Sequence, residues 1–348
     1  MGRVVEEAPD RLVNGGKILS GVFRTPVRDV NILDAMAAEG TFARALLKMR
    51  MKEWCGIGFV HPDWYLSVMI QDAKYVSSGM VYLWDRNRLK YFRHGWSAAG
   101  TAVSLAANQY DGECSAKRRG FSLEFEHRLD RGLHNIRIDV AATRSAPAVK
   151  AELRLHEDLS TVTPLVASLH IDSRHHAYTH KAPMGIEGWM TVGDTRVIFE
   201  PDRDTANMDE HKAIYPYRTH WLWGSFAGRD SQGRLFGVNL ADHVFADQET
   251  NNENCVWLGG DIRLPGRIEY QMDPSRPFDV WRIDDRTGTV DLQFHPAGRF
   301  VQKANLLVAG IDYYQMFGSW RGVVQGPDGM MHDVPGLFGV AERMDTRF

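Results

Sequence analysis

Between Asp209 and Trp223 the chain reads Asp-Glu-His-Lys-Ala-Ile-Tyr-Pro-Tyr-Arg-Thr-His-Trp-Leu-Trp, a run crowded with groups that move or steer protons. Carboxylates, imidazoles, two phenols, a guanidinium and two indoles share fifteen residues. On a strand, Trp221 and Trp223 would present both rings to the same side. A carboxylic acid set against aromatic walls loses hydration, which disfavours its charged form. An aspartate placed so can act as a general acid toward an alkene, hydroxyl or carbonyl. Ring faces can steady a developing cation by ~0.5–2 kcal/mol each when water is excluded. Asp209 is therefore the candidate acid or base, with His211 or Tyr217 as its proton partner. Tyr215, Arg218, Trp221 and Trp223 are candidate substrate contacts. The same residues also suit an ordinary β-protein interior, with Arg218 as a simple ion-pair partner for Asp209.

A second cluster, His243 to Asn254, ends in Glu249-Thr-Asn-Asn-Glu-Asn before the apolar run Cys255-Val-Trp-Leu258. Asparagine donates and accepts at once, so Asn254, with Asn239 upstream and Glu253, could orient a substrate carbonyl or a water. A third cluster runs from His170 to His180 and holds four histidines and Asp172. Zinc and iron sites use such ligands, but the spacing matches no known site and HExxH is absent, so no metal is assigned. There is no GxGxxG before a helix, no P-loop and no GxSxG, which removes support for nucleotide binding and common serine hydrolase chemistry. Cys55, Cys114 and Cys255 form no CxxC pair and have no evident activating base.

These groups need strands to position them. Trp54–Val60, Trp64–Gln71 and Gly79–Asp85 are rich in aromatic and β-branched residues. Phe121-Ser-Leu-Glu-Phe-Glu-His127 alternates strictly, and Leu133–Val140 and Lys150–His156 do the same. Val197–Phe199, Trp221–Trp223, Arg234–Leu240, Arg267–Met272, Val290–Phe294 and Asn305–Val308 continue the pattern in the second half. Alternation of this kind sends one row of side chains inward and the other to water. Asp130-Arg-Gly132, Gly193-Asp194, Ser231-Gln-Gly233, Asp285-Arg-Thr-Gly288 and Pro327-Asp-Gly329 supply the hairpin turns between them. Helices are predicted over Ile32–Met49, capped by Asn31 and weakened at Gly40, and over Asp204–Lys212. The fold class is all-β, as two barrel-like or curved-sheet units, 1–185 and 186–348, that together could enclose a cleft.

The second half also carries a recognisable texture. Tyr215-Pro-Tyr-Arg-Thr-His-Trp-Leu-Trp223, Gly237-Val-Asn-Leu240 and Glu249–Asn254 resemble the bacterial domain-of-unknown-function family 2804. Gln315-Met-Phe-Gly318, Val334-Pro-Gly-Leu-Phe-Gly339 and Ala341-Glu342 agree, as do Lys52-Glu-Trp54 and Val81-Tyr-Leu-Trp-Asp85 nearer the start. More remotely, the acid-plus-tryptophan pattern resembles the lipocalin-like superfamily that includes carotenoid hydratases and certain fungal cyclases. That likeness implies paired lipocalin-like units, greasy polyene or terpenoid substrates and no cofactor, with Asp209 and His211 where the hydratases place a carboxylate and a histidine.

Composition narrows the rest. The 348 residues are 44% hydrophobic and 24% charged with a net charge of −3, which suits a globular protein and lacks the basic stripe of a nucleic-acid binder. No apolar run reaches the ~18 residues of a membrane helix, the start lacks a signal-like stretch, and the sparse cysteines suit a reducing cytosol. The expectation is a cytoplasmic, cofactor-independent lyase (hydratase or dehydratase) or isomerase. Its ligand would be a hydrophobic small molecule such as a terpenoid, steroid or aromatic metabolite. The competing readings are a non-catalytic carrier of a lipid or pigment and a metal-dependent hydrolase built on the 170–180 histidines.

Overall fold

The computed structural model describes residues 3–243, 247–305 and 309–347. The chain divides into two compact units, and the predicted boundary at 185/186 lies inside a continuous strand, His176–Val192. One unit comprises Val5–Ser168 with Ala177–Ile214; the other comprises Tyr215–Phe348 with Leu169–His176 and Met1–Val4. We call them the first and second units.

In the first unit the sheet runs from Lys90–Ala99 through Val76–Asp85, Trp64–Asp72 and Met51–Val60 to Thr205–Ile214. It continues through His176–Val192, Val149–His156, Leu133–Val140 and Phe121–Arg128 to Glu113–Arg118. The path curls back on itself: a Cβ on Gly79 would stand 2.7 Å from that of Ala116 on the opposite end strand. Only glycine permits that approach. The concave side is filled by the apolar rows foreseen in the alternation, including Phe121, Leu123 and Phe125 against Ile136, Ile138, Leu153 and Leu155.

The helical predictions need correction. Ile32–Glu39 is a 3-10 helix and Thr41–Arg50 an α-helix, interrupted where Gly40 adopts φ 92°. Asn31 caps neither, because its amide bonds Val13 and Asp34 instead. The second predicted helix is a strand: Thr205–Ile214 pairs residue for residue with Met51–Val60. Its helix-tolerant composition is overruled by alternation, since Ala206 and Met208 join the core while Asn207 and Asp209 face the other way. Asp209 and His211 therefore share one face of a central strand.

The second unit is a nine-stranded antiparallel sheet. Its path is Asp261–Arg263, Cys255–Leu258, Leu235–His243, Arg218–Arg229, Met331–Arg347, Gly310–Gln325, Val290–Asn305, Trp281–Asp285 and Ile268–Gln271. It also curls, with the Tyr270 hydroxyl from the last strand donating to the Leu240 carbonyl at 2.8 Å. Leu222, Phe226, Val238, Leu240, Ile283, Phe294, Met316 and Trp320 fill its interior. The expected strand Asn305–Val308 lies, beyond Asn305, outside the described residues. Among the described residues no helix is long and apolar enough to cross a membrane.

Candidate functional site

Alternation fixes which groups of Arg218–Arg229 meet. Leu222 and Phe226 enter the core, so Trp221, Trp223 and Ser225 occupy the opposite face, where Trp223 stands across from Glu342 and Ser225 from Asn239. That face is also buried: Trp221 is 6% exposed and Glu342 9%. The Trp221 indole N–H donates to Glu342 Oε1 at 2.9 Å. Tyr313 O–H donates to Oε2 at 2.6 Å, and Gln315 Nε2 donates to the same oxygen at 2.9 Å. Three neutral donors thus solvate one carboxylate in place of water. The Trp221 ring continues into a stack, lying 5.7 Å from Tyr215 and 5.3 Å from His243 with interplanar angles of 27° and 19°.

Trp223 is held differently. Its N–H donates to Asn239 Oδ1 at 2.7 Å, and Asn239 Nδ2 donates to the Glu253 carbonyl at 2.6 Å. Glu253 is 2% exposed, with its carboxylate 3.9 Å from His243 Nε2. Asn254 accepts from the Ala241 N–H and donates to the Gly266 carbonyl, both at 2.7 Å. The donor-acceptor duality expected of Asn239 and Asn254 is therefore exercised on the protein's own chain, where it fixes the indole and the 252–266 segment. Arg3 adds to that clamp by donating to the Asn254 and Pro265 carbonyls at 2.7 and 2.9 Å.

Two other sequence candidates stand apart from this arrangement. Tyr217 is 45% exposed on the segment leading into the strand, and Arg218 is exposed beside it. Arg218 lines a groove of about 700 Å³ with His220, Lys303, Asp312, Asp345 and Arg347.

Asp209 and His211 belong to the first unit. Asp209 Oδ1 lies 3.0 Å from Lys181 Nζ, and its Oδ2 accepts from the Trp54 indole N–H at 3.3 Å. His211 lies flat on the Trp54 ring, centroids 4.6 Å apart and planes 13° off parallel. The Asp209 side chain keeps 22% of its surface accessible while Lys181 keeps 2%. One indole thereby holds a carboxylate at its N–H and an imidazole on its ring, and the carboxylate holds an ammonium, a set able both to take and to return a proton.

The concave side of the same unit holds a further constellation that sequence reasoning missed. Its apolar rows end in titratable groups, as the register shows: Cys55 before Ile57 and Phe59, His127 after Phe125, and His134 before Ile136. Glu157 follows Leu155, and His180 precedes Ala182. Glu157, wholly buried, accepts from His134 Nε2 at 2.8 Å and from His180 Nε2 at 2.7 Å. Burial pushes Glu157 up, but the His180 charge and both imidazole hydrogen bonds outweigh it and hold the carboxyl at about 2. Burial pushes His180 down, and the Glu157 charge more than reverses that, so His180 is raised. His127, with burial foremost and the His134 and His180 charges adding, is pushed well down. Its Nδ1 lies 2.9 Å from His134 Nδ1 and its Nε2 3.5 Å from Cys114 Sγ. Glu210 and Lys212 complete this polar end, 3.6 Å apart.

The histidines of 170–180 do not converge. His175 pairs with Asp172 at 2.7 Å, His170 meets His176 edge to face, and His180 belongs to Glu157. Among the described residues no set of three metal-ligating groups forms there.

Comparison with known proteins places this geometry in a family. The chain belongs to the family described as a domain of unknown function (DUF2804), whose profile matches residues 3–348. No functionally curated protein gives a significant match. A crystal structure of CghA with Sch210972 is similar at 9% identity and a TM-score of 0.53, covering 86% of this chain and 88% of that one. Kievitone hydratase from Nectria haematococca is similar at 9% identity and a TM-score of 0.48, covering 85% and 88%. At such identities the first likeness is one of fold, and it agrees with the all-β, lipocalin-like architecture expected from the sequence.

Proposed function

We propose that this protein is an enzyme of the lyase or isomerase type that moves protons on a hydrophobic small molecule, with Asp209 exchanging the proton. The observation that carries this reading is the Asp209 setting: a partly accessible carboxylate fixed by Trp54 and Lys181, with His211 stacked on the same indole. Removing or adding water across a carbon–carbon bond, or shifting a double bond, needs one group to take a proton and another to supply one. Asp209 suits the first task, and Lys181 or His211 the second. His211, held against the indole, fits the partner role better than the exposed Tyr217. An indole face beside the carboxylate suits an apolar substrate that develops positive charge.

The test uses the purified protein and an apolar metabolite extract. Incubation in D2O, followed by mass spectrometry, should reveal a compound that gains deuterium or changes by one water. Asp209→Asn should lose that conversion while still retaining the compound. A compound retained and never converted by the wild-type protein would make this a carrier and overturn the enzymatic reading. Conversion undiminished in Asp209→Asn would overturn the assignment of the proton-exchanging group.

A further inference from the structure

The interior row of the first unit brings together two thiols and an imidazole that lie far apart in the sequence. Cys55 comes from Met51–Val60, Cys114 from Glu113–Arg118 and His127 from Phe121–Arg128. All three are buried, at 1%, 2% and 0% exposure, and one ligand atom from each lies within 4.8 Å of the other two. We propose that Cys55, Cys114 and His127 form a binding site for a single thiophilic divalent cation of the zinc class.

Distance supports this. With zinc–sulfur bonds near 2.3 Å and zinc–nitrogen bonds near 2.0–2.1 Å, a tetrahedral angle separates sulfur from nitrogen by about 3.6 Å. His127 Nε2 and Cys114 Sγ are 3.5 Å apart. The same angle sets a sulfur–sulfur edge near 3.8 Å, so edges that nowhere exceed 4.8 Å need about 1 Å of closure or less, within reach of cysteine rotamers.

The surroundings support it as well. A metal-bound imidazole characteristically has its second nitrogen oriented by a hydrogen-bonded partner and ultimately by a carboxylate. Here His127 Nδ1 is held by His134 Nδ1 at 2.9 Å, and His134 in turn donates to Glu157 at 2.8 Å. His127 is thereby aimed with Nε2 toward the sulfurs. Cys114 is oriented too, since its sulfur accepts the Ala106 N–H at 3.2 Å. On binding, each thiol gives up its proton and two thiolates neutralise the dication, so an uncharged assembly sits in the apolar core. Three protein ligands leave a fourth position for a small donor such as water. Full burial means that the ion enters as the chain folds.

The experiment uses the full chain expressed in zinc-supplemented medium with its thiols kept reduced. Elemental analysis should find about one equivalent of zinc, with at least a tenfold loss in Cys114→Ser and in His127→Gln. Cys255→Ser, which removes the buried thiol of the other unit, should keep the full equivalent. Cobalt supplied alone during refolding should give a sulfur-to-metal charge-transfer band, which reports the thiolates directly in the unsubstituted protein and does not depend on any variant folding. Absence of both zinc and the cobalt band from the wild-type chain would overturn the proposal. So would a full equivalent retained when Cys55 and Cys114 are both replaced by serine.

Discussion

Asp209 and Glu342 each accept a hydrogen bond from an indole N–H, but the two settings differ in everything else. Asp209 in the first unit faces an ammonium at 3.0 Å and keeps a fifth of its side chain accessible. Glu342 in the second unit accepts from an indole, a phenol and an amide, and both its oxygens are engaged. A cation-paired, partly open carboxylate has a neighbour that can relay a proton and a lobe that can meet a substrate. A carboxylate solvated by three fixed dipoles is better suited to holding those dipoles in place. The comparison teaches that a carboxylate beside tryptophan is no single chemical device; the other groups that reach it decide whether it exchanges protons or organises its surroundings.

The largest expected effect would break the comparison outright. Asp209→Asn should lower turnover by about 10²–10⁴, the usual contribution of a positioned acid or base. Glu157, also ion-paired but sealed from solvent, supplies the next test, on stability alone. Replacing it with glutamine removes the carboxylate hydrogen-bonded to His180 and leaves Glu210, 3.8 Å from His180 Nδ1, as the remaining counter-charge. The change should cost up to about 3–5 kcal/mol in denaturant unfolding. The pH sign follows from its carboxyl lying near 2 when folded against 4.5 in an ordinary setting. Between those values the unfolded chain binds the extra proton, so this contribution is complete above 4.5 and fades as the pH falls toward 2. Thermal melts should show a shallower loss on acidification in Glu157→Gln than in the wild type.

Smaller effects sharpen the contrast. Glu342→Gln removes a charge but leaves one carbonyl for the Trp221, Tyr313 and Gln315 donors. It should destabilise by about 1–3 kcal/mol. Turnover should change by less than about tenfold, a loss near 1.4 kcal/mol or smaller. Tyr217→Phe alters the side chain of a residue that is 45% exposed and should stay within about 0.5 kcal/mol of wild-type stability with turnover unaltered. A large rate loss in that variant would restore Tyr217 as the proton partner.

Much of the scaffold was legible in the sequence because period-two alternation reports a half-buried strand directly. The Phe121, Leu123 and Phe125 row is the clearest case, and its fourth member by parity is His127. The same parity led from Leu155 to Glu157 and from Ile136 to His134, so the polar end of the core was available to a reader who continued each row past its last apolar residue. Asp204–Lys212 reads as a helix because Asp, Glu and Lys in sequence resemble a helix surface, and only the partner strand Met51–Val60 decides otherwise. Lys181 and Trp54 reach Asp209 from the two neighbouring strands of the sheet, which lie far from it in sequence, a pairing that no local spacing encodes. Trp54, Gln315 and Glu342 nevertheless lie within the short motifs that carried the family resemblance. Those motifs marked the constellations before any role could be given to their members.

The most direct measurement compares Asp209→Asn with Glu342→Gln on one converted substrate, following solvent deuterium incorporation under single-turnover conditions. The account predicts that incorporation disappears in Asp209→Asn and persists in Glu342→Gln. Incorporation that persists in Asp209→Asn and vanishes in Glu342→Gln would contradict it and move the proton chemistry to the second unit.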